Sequence, residues 1–249
     1  MTPVVRPRDN GPPTALAGPD PGATPSKDDM TDAPQQGGYG YLAREDVAPF
    51  IPRSARSALD VGCSEGGFAV SLRNALGLQA RLVGVEAVAE AAAVARERSP
   101  FDEVITGYFP RALQGRDERF DLISFIDVLE HIYDPKAALV AAKEFLSADG
   151  AVLACLPNVQ YAPVVWQLVR GRWDYTDTGI LDRTHVRFFT RATMVELFES
   201  AGYRVDLVQG IHNIIQDKPA FGRGHRRKLR HVLGPAQWIQ FVIVARPMP

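Results

Sequence analysis

The stretch Ala58-Leu59-Asp60-Val61-Gly62-Cys63-Ser64-Glu65-Gly66-Gly67-Phe68 constrains the fold more than any other part of the chain. A short apolar strand runs into a glycine-rich turn and then a helix, and Glu86 closes a second apolar run twenty positions after Gly66. Glycine lets a backbone approach a flat, charged ligand, and a side chain at Gly62 or Gly66 would stand in the way. Asp60, at the carboxyl end of the first strand, is placed to orient the turn or to accept from a ligand ammonium. Glu86 can accept two hydrogen bonds from ribose hydroxyls, and charge-assisted bonds of that kind are the strong class. Turn, acidic strand end and the order of elements together predict a nucleotide-cofactor site.

The rest of the chain alternates between apolar runs and amphipathic helical stretches, the pattern of a parallel sheet covered on both faces. Strands are predicted at Ser57–Val61, Arg81–Glu86, Glu103–Thr106, Phe120–Ile126, Ala151–Leu156 and Arg204–Val208. A last strand, Gln240–Ala245, follows a long excursion instead of a crossover helix and is expected to insert antiparallel, as the hairpin partner of the sixth. The expected architecture is an α/β, doubly wound, mostly parallel seven-stranded sheet. Asp134-Pro135 supplies an N-cap and a first-turn proline for a helix whose buried stripe runs from Ala138 to Leu146. Asp149-Gly150 reads as the turn into the fifth strand, and Thr190 as the cap of a later helix. Tyr39 to Phe50 reads as a short leading helix.

With 249 residues, 46% hydrophobic and 23% charged, the chain can bury one good core. Residues 1 to about 37, crowded with Pro, Gly, Asp and Ala, cannot bury enough surface to offset the entropy of ordering and read as a disordered tail. A formal charge of −1 gives no global attraction to nucleic acid, so a nucleic-acid partner is not expected. No apolar run approaches the roughly 20 residues a membrane helix needs, and no signal core opens the chain. Cys63 and Cys155 are the only cysteines, and neither a disulfide framework nor a metal cage is expected, so the reading is a cytoplasmic protein.

A dinucleotide turn needs Gly-x-Gly-x-x-Gly, whereas here Ser64 replaces the middle glycine and Glu65 would repel a pyrophosphate. The arrangement Asp60-x-Gly62-x-x-x-Gly66 instead resembles the class I S-adenosylmethionine-dependent methyltransferases. Phe120-Asp121-Leu122-Ile123, then Asp127-Val128-Leu129-Glu130-His131-Ile132 and Asp134-Pro135, resemble that family's fourth strand and the loop after it. The resemblance implies a Rossmann-like methyltransferase fold with S-adenosyl-L-methionine as cofactor. It implies that Asp60, Gly62, Ser64 and Gly66 line the methionine part, Glu86 binds the ribose, and Ala87 or Val88 packs near the adenine. Asp127 and Val128 would lie beside the sulfonium, and Tyr41 and Arg44 match the leading segment, where Arg44 would pair with the cofactor carboxylate. Many relatives place an aspartate after the third strand, but this chain has Gly107-Tyr108-Phe109, so adenine recognition falls to Tyr108.

An insertion after the fifth strand, about 157–190, must lie over the carboxyl ends of the strands and is read as an acceptor lid. Its string Asp182-Arg183-Thr184-His185-Val186-Arg187-Phe188-Phe189-Thr190 resembles methyltransferases of bacterial glycan and polysaccharide clusters, which implies a sugar hydroxyl acceptor. A hydroxyl acceptor gains about 10²–10⁴-fold from a positioned base. His185 and His131 lead as candidates because imidazole titrates near neutrality, with Asp127 and Asp182 behind them. Asp182, Arg183 and Arg187 read as a local ion-pair network that fixes the lid, and Trp173 and Tyr175 as sugar-stacking or lid-docking aromatics. No metal is expected, since the His and carboxylate spacings show no convincing ligand set. The basic run 223–231, within an insertion at about 211–237, is read as a solvated face or a weak contact with a membrane surface. The Val-Leu-Glu-His-Ile string also resembles ubiquinone-biosynthesis enzymes, so a quinol acceptor stands as the alternative, beside a non-catalytic cofactor-binding regulator.

Overall fold

A computed structural model describes residues 41–215 and 231–248, all within one compact unit, Gln36–Pro249. Its centre is a seven-stranded sheet built from β1 (Ser57–Val61), β2 (Arg81–Glu86), β3 (Glu103–Thr106), β4 (Phe120–Ile126), β5 (Leu146–Pro157), β6 (Tyr203–Asn213) and β7 (Trp238–Pro247), in the order β3-β2-β1-β4-β5-β7-β6. The first five run parallel, while β7 is antiparallel to both of its neighbours. The last strand therefore enters the sheet as expected, wedged between β5 and β6.

Side-chain alternation sorts the apolar residues into two cores, one on each face of the sheet. Leu59, Val83, Val85, Ile123 and Phe125 belong to the larger cluster, closed by Leu139 and Ala142 of α3 (Pro135–Ala142) and by Met194 and Phe198 of α5 (Arg191–Ser200). Ala58, Leu82, Leu122 and Leu153 face the other way, under Phe68 and Leu72 of α1 (Phe68–Leu76). A smaller cluster joins Cys63 and Val104 to Ala92 and Ala95 of α2 (Ala89–Arg98). The Tyr203 hydroxyl donates to the Leu139 carbonyl at 2.7 Å and fixes β6 to α3.

Local signals explain most helix ends. The Asp134 carboxylate accepts from the Ala137 N–H at 2.9 Å at the start of α3. Thr190 caps α5 in a reciprocal box with Thr193. Gly77 ends α1 at φ 89°, donating its N–H to the Arg73 carbonyl.

Some expectations are corrected. The leading segment holds only a short helical turn, Ala48–Phe50, because Arg44 sits at φ 49° and Pro49 offers no N–H. The helix after Asp134 stops at Ala142 and tightens into a turn at Lys143–Phe145, so Leu146 already pairs with Phe120 in the sheet. Asp149-Gly150 consequently lies inside β5, where the register shifts between Phe120 and Leu122. The expected insertion begins later than residue 211, since Ile211–Asn213 continue β6. The tail and all of the basic run except His231, which is exposed, fall outside the described residues. No helix among the described residues is long and apolar enough to cross a membrane.

Candidate functional site

Strand order reverses between β1 and β4, and in an open α/β sheet the ligand crevice forms at the carboxyl ends beside that reversal. Asp60 stands there, 2% exposed, accepting from the Ser124 hydroxyl of β4 at 2.6 Å. Burial, with the nearby Glu86 charge adding to it against the Ser124 hydrogen bond, pushes the Asp60 carboxyl up to about 7. The turn that follows is pinned to β2 by the N–H groups of Gly62 and Cys63, which donate to the Val85 carbonyl at 2.8 and 3.1 Å. Glu86 reaches across from the end of β2 and is also buried. It accepts the Ser64 N–H on one oxygen and the Val88 N–H on the other, each at 2.8 Å. Each oxygen keeps a further lone pair, so the carboxylate braces both loops and can still accept from ribose hydroxyls.

The two glycines are also required by the packing of the chain itself. A Cβ at Gly62 would stand 2.6 Å from a Val128 methyl, and one at Gly66 would strike Ser99 and Ala95. Both residues are at positive φ, where a side chain is strained as well. Gly62 thereby admits Val128 against the turn, and Gly66 seats the turn on α2.

The Arg44 guanidinium donates to Asp46, to Asp127, to the Cys155 sulfur and to the Gln240 side-chain amide oxygen, so it is held within the chain beside the end of β4. Asp127 also accepts from the Gln240 amide at 2.6 Å. Its carboxylate is thus engaged in holding the end of β4 to β7 and Arg44. Tyr41 is exposed, its hydroxyl 3.4 Å from the Arg98 carbonyl. Tyr108 is exposed beside Gly107, and Ala87 and Val88 lie at the start of α2.

The lid leaves the sheet after β5 and carries α4 (Ala162–Val169), a helix the sequence reading missed. It returns beside its own origin, where Val159 donates to the Phe189 carbonyl at 2.9 Å. The N–H groups of Val186 and Arg187 both donate to the Glu130 carbonyl, and the Arg187 guanidinium donates to the Tyr133 carbonyl. Asp182 accepts from the Thr184 N–H and hydroxyl, and Arg183 pairs with Asp177. Lid fixation by these three residues therefore mixes one ion pair with a turn cap and a carbonyl clamp. Trp173 and Tyr175 pack on Phe188, with ring centroids 5.2 and 6.4 Å away.

The return of this segment brings His185 against His131, with ring centroids 4.7 Å apart and the planes 74° apart. Glu130, from the short turn Leu129–His131 after β4, completes a group whose ligand-type atoms all lie within 4.8 Å of one another. Burial, reinforced by Asp127, pushes the Glu130 carboxyl well above the usual carboxylate range. Burial and the neighbouring His185 hold His131 below the ordinary imidazole value. The adjacent Glu-His pair was visible in the sequence, but its meeting with His185 depends on how the lid folds back.

Comparison with known proteins agrees with this geometry. Residues 37–208 match the family model described as "Methyltransferase domain". An enzyme named ubiquinone biosynthesis O-methyltransferase from Dinoroseobacter shibae is 30% identical over 174 residues, 65% of this chain and 68% of the relative. One of the same name from Cereibacter sphaeroides is 26% identical over 162 residues, 63% of this chain and 64% of the relative, so that match spans just under two thirds of the relative's length. Among solved structures, a SAM-dependent methyltransferase from Archaeoglobus fulgidus superposes with a TM-score of 0.58 at 16% identity, covering 80% of this chain and 90% of that one. The plantazolicin methyltransferase BpumL in complex with SAH gives 0.56 at 14% identity, covering 84% and 83%. The chain belongs to this methyltransferase-domain family and has the fold of SAM-dependent methyltransferases.

Proposed function

We propose that the protein methylates a hydroxyl oxygen on an aromatic, quinol-like small molecule held beneath the lid. The observation that carries this reading is the apolar character of the lid's cleft. A cavity of about 360 Å³ is lined mostly by apolar side chains, Val159, Val164, Val165, Leu168, Trp173 and Phe188, with Gln160 and Thr190 as its polar members. Such a lining favours a flat apolar ring over a sugar, whose hydroxyls would lose water without gaining partners. The two relatives named as ubiquinone-biosynthesis O-methyltransferases support the same acceptor class.

The donor fits the crevice between β1 and β4. Glu86 is placed to accept from the ribose hydroxyls, Asp60 and the Gly62–Gly66 turn to hold the amino-acid part, and Ala87, Val88 and Tyr108 to border the adenine. Ser64 at φ 48° turns its N–H onto Glu86 and keeps the loop open in that direction. When bound, S-adenosylmethionine supplies an electrophilic methyl group on a sulfonium. The protein's part is alignment, exclusion of water by the lid, and removal of the acceptor's proton. His131 and His185 stand where the lid meets the end of β4 and promote that loss of the proton.

A sugar hydroxyl remains the second reading, favoured by the exposed Tyr175 ring at the lid rim and by the lid string. Incubation with methyl-labelled donor and parallel panels of catechols, prenylated hydroquinones and nucleotide sugars, followed by mass spectrometry, separates the two. Label on the phenolic panel is expected. Label confined to the sugars would overturn the quinol assignment.

A further inference from the structure

We propose that Ser124 is a positioning residue for the donor: its hydroxyl follows the protonation state of Asp60, so that Asp60 sends one proton to solvent when it pairs with the donor's ammonium. This role rests on the donor placement proposed above. Register puts the two side chains side by side, since Asp60 of β1 is the Cα partner of Ser124 on β4 and of Gly84 on β2. A Cβ at Gly84 would stand 2.7 Å from the Cys63 sulfur, so a thiol fills that side. Ser124 and Asp60 are both buried, and bulk water serves neither.

The Ser124 hydroxyl stands between two acceptors. Its Oγ lies 2.6 Å from Asp60 Oδ1 and 3.3 Å from the Leu59 carbonyl oxygen, and it has a single proton to give. With Asp60 ionised, the hydroxyl donates to the carboxylate, at the short distance of a charge-assisted bond. With Asp60 protonated, the carboxyl donates to Oγ and the hydroxyl turns to the Leu59 carbonyl, so both contacts are used. Rotation of one hydroxyl therefore serves either form.

The chain's own charges around Asp60 favour the protonated form. Among the described residues no basic side chain pairs with it, and Glu86, at the end of the neighbouring strand, is acidic. Burial, with the charges of Asp60 and Glu86, keeps the Cys63 thiol protonated. Arg96 of α2, the basic group nearest that thiol's side, is taken up by the Val104 carbonyl and the Thr106 hydroxyl. Burial and Glu86 thus push the Asp60 carboxyl up to about 7 even against the Ser124 hydrogen bond. An ammonium beside Asp60 reverses this balance, because an opposite charge favours the carboxylate. Below about pH 7 the proton competes with the ammonium, so donor affinity falls with falling pH, approaching about tenfold per pH unit, and is level above that value. Removing the Ser124 hydroxyl takes a donor from the carboxylate and moves this window up by roughly one pH unit.

Calorimetric titration of the full chain with S-adenosylhomocysteine, in buffers of different ionisation enthalpy, counts the protons released on binding. About 0.9 per chain is expected at about pH 6 and about 0.1 at about pH 8, the protonated fractions of a group titrating at about 7. Methylthioadenosine keeps the ribose assigned to Glu86 but has no ammonium, and no release is expected with it. Ser124→Ala should shift the midpoint of release upward by roughly one pH unit, and Ser124→Thr, which restores a hydroxyl, should return it. Binding of methylthioadenosine by both variants reports that they are folded. Binding of S-adenosylhomocysteine at about pH 6 without proton release would overturn the proposal, as would equal release by methylthioadenosine; neither result needs a variant to fold. An unmoved midpoint in Ser124→Ala would remove Ser124 from the role. If neither nucleoside binds, the donor placement itself is refuted, whereas binding without release leaves that placement standing.

Discussion

Among the described residues, four that are not glycine occupy the left-handed backbone region: Arg44, Ser64, Asp127 and His212. Their contacts connect three of them in one network. Arg44 pairs with Asp127 and Asp46, and His212 meets Asp46 at 2.9 Å, while Ser64 donates to Glu86 across the donor crevice. Each such backbone costs about 1–3 kcal/mol and persists only where its surroundings over-determine it, which is common around functional sites. Asp60 shows the same concentration of unfavourable chemistry at this site. Its carboxyl is raised to about 7 from an ordinary 3.8. Between those values the folded chain holds a proton that the unfolded chain has lost, so this group's contribution to stability declines as pH rises through that window and is level above it. Asp60→Asn removes the titration. Urea denaturation across a pH series should show the variant gaining on the parent from about pH 4 to about pH 7, by an amount on the order of a few kcal/mol. A difference that stays constant across the series would refute the raised value.

At the scale of elements, legibility followed burial. β1, β2 and β4 were readable to the residue because most of their side chains are buried on both faces of a covered sheet, and the edge strand β3 was readable from its short Val104-Ile105 run. β6 and β7 were read too short. Their outer residues, Gly210–Asn213 against Trp238–Phe241, are joined by an antiparallel ladder that no hydrophobic run announces. Helix α4 was missed for the opposite reason: Ala-Pro-Val-Val-Trp-Gln-Leu-Val is a short run, apolar at nearly every position, that its length leaves ambiguous between strand and helix, and Val165, Trp166, Leu168 and Val169 are exposed. The proposed donor residues Asp60, Gly62 and Glu86 announce themselves within one short stretch and one strand end. Arg44 could not be placed, since Gln240 lies 196 positions away. The lid's attachment gives an element-scale expectation. Arg187 donates twice to the Tyr133 carbonyl, at 2.9 and 2.5 Å, and a charged donor of this kind contributes about 1.5 kcal/mol when partly exposed. Arg187→Ala should therefore raise amide exchange across residues 180–190 by about tenfold while leaving donor affinity unchanged. Unaltered exchange in that segment would show that the clamp does not hold the lid.

For the whole molecule, the C-terminal strand decides whether the sheet closes. Phe241, Val242, Ile243 and Val244 of β7 are buried, and removing four such side chains forfeits about 6–12 kcal/mol at 1.5–3 kcal/mol each. Domains of this kind have a total stability of about 5–15 kcal/mol. A chain ending before Trp238 should lack a cooperative thermal transition, and a retained transition by circular dichroism would place the main stability elsewhere. The same sheet also keeps two tasks apart. The proposed donor crevice is formed by the ends of β1, β2 and β4, while the excursion after β5 departs at Asn158 and rejoins at Phe189, which form a bridge with each other. A loop whose two ends share one anchorage can be exchanged as a cassette, so such enzymes can acquire new acceptors by recombination at that neck while inheriting the donor half intact.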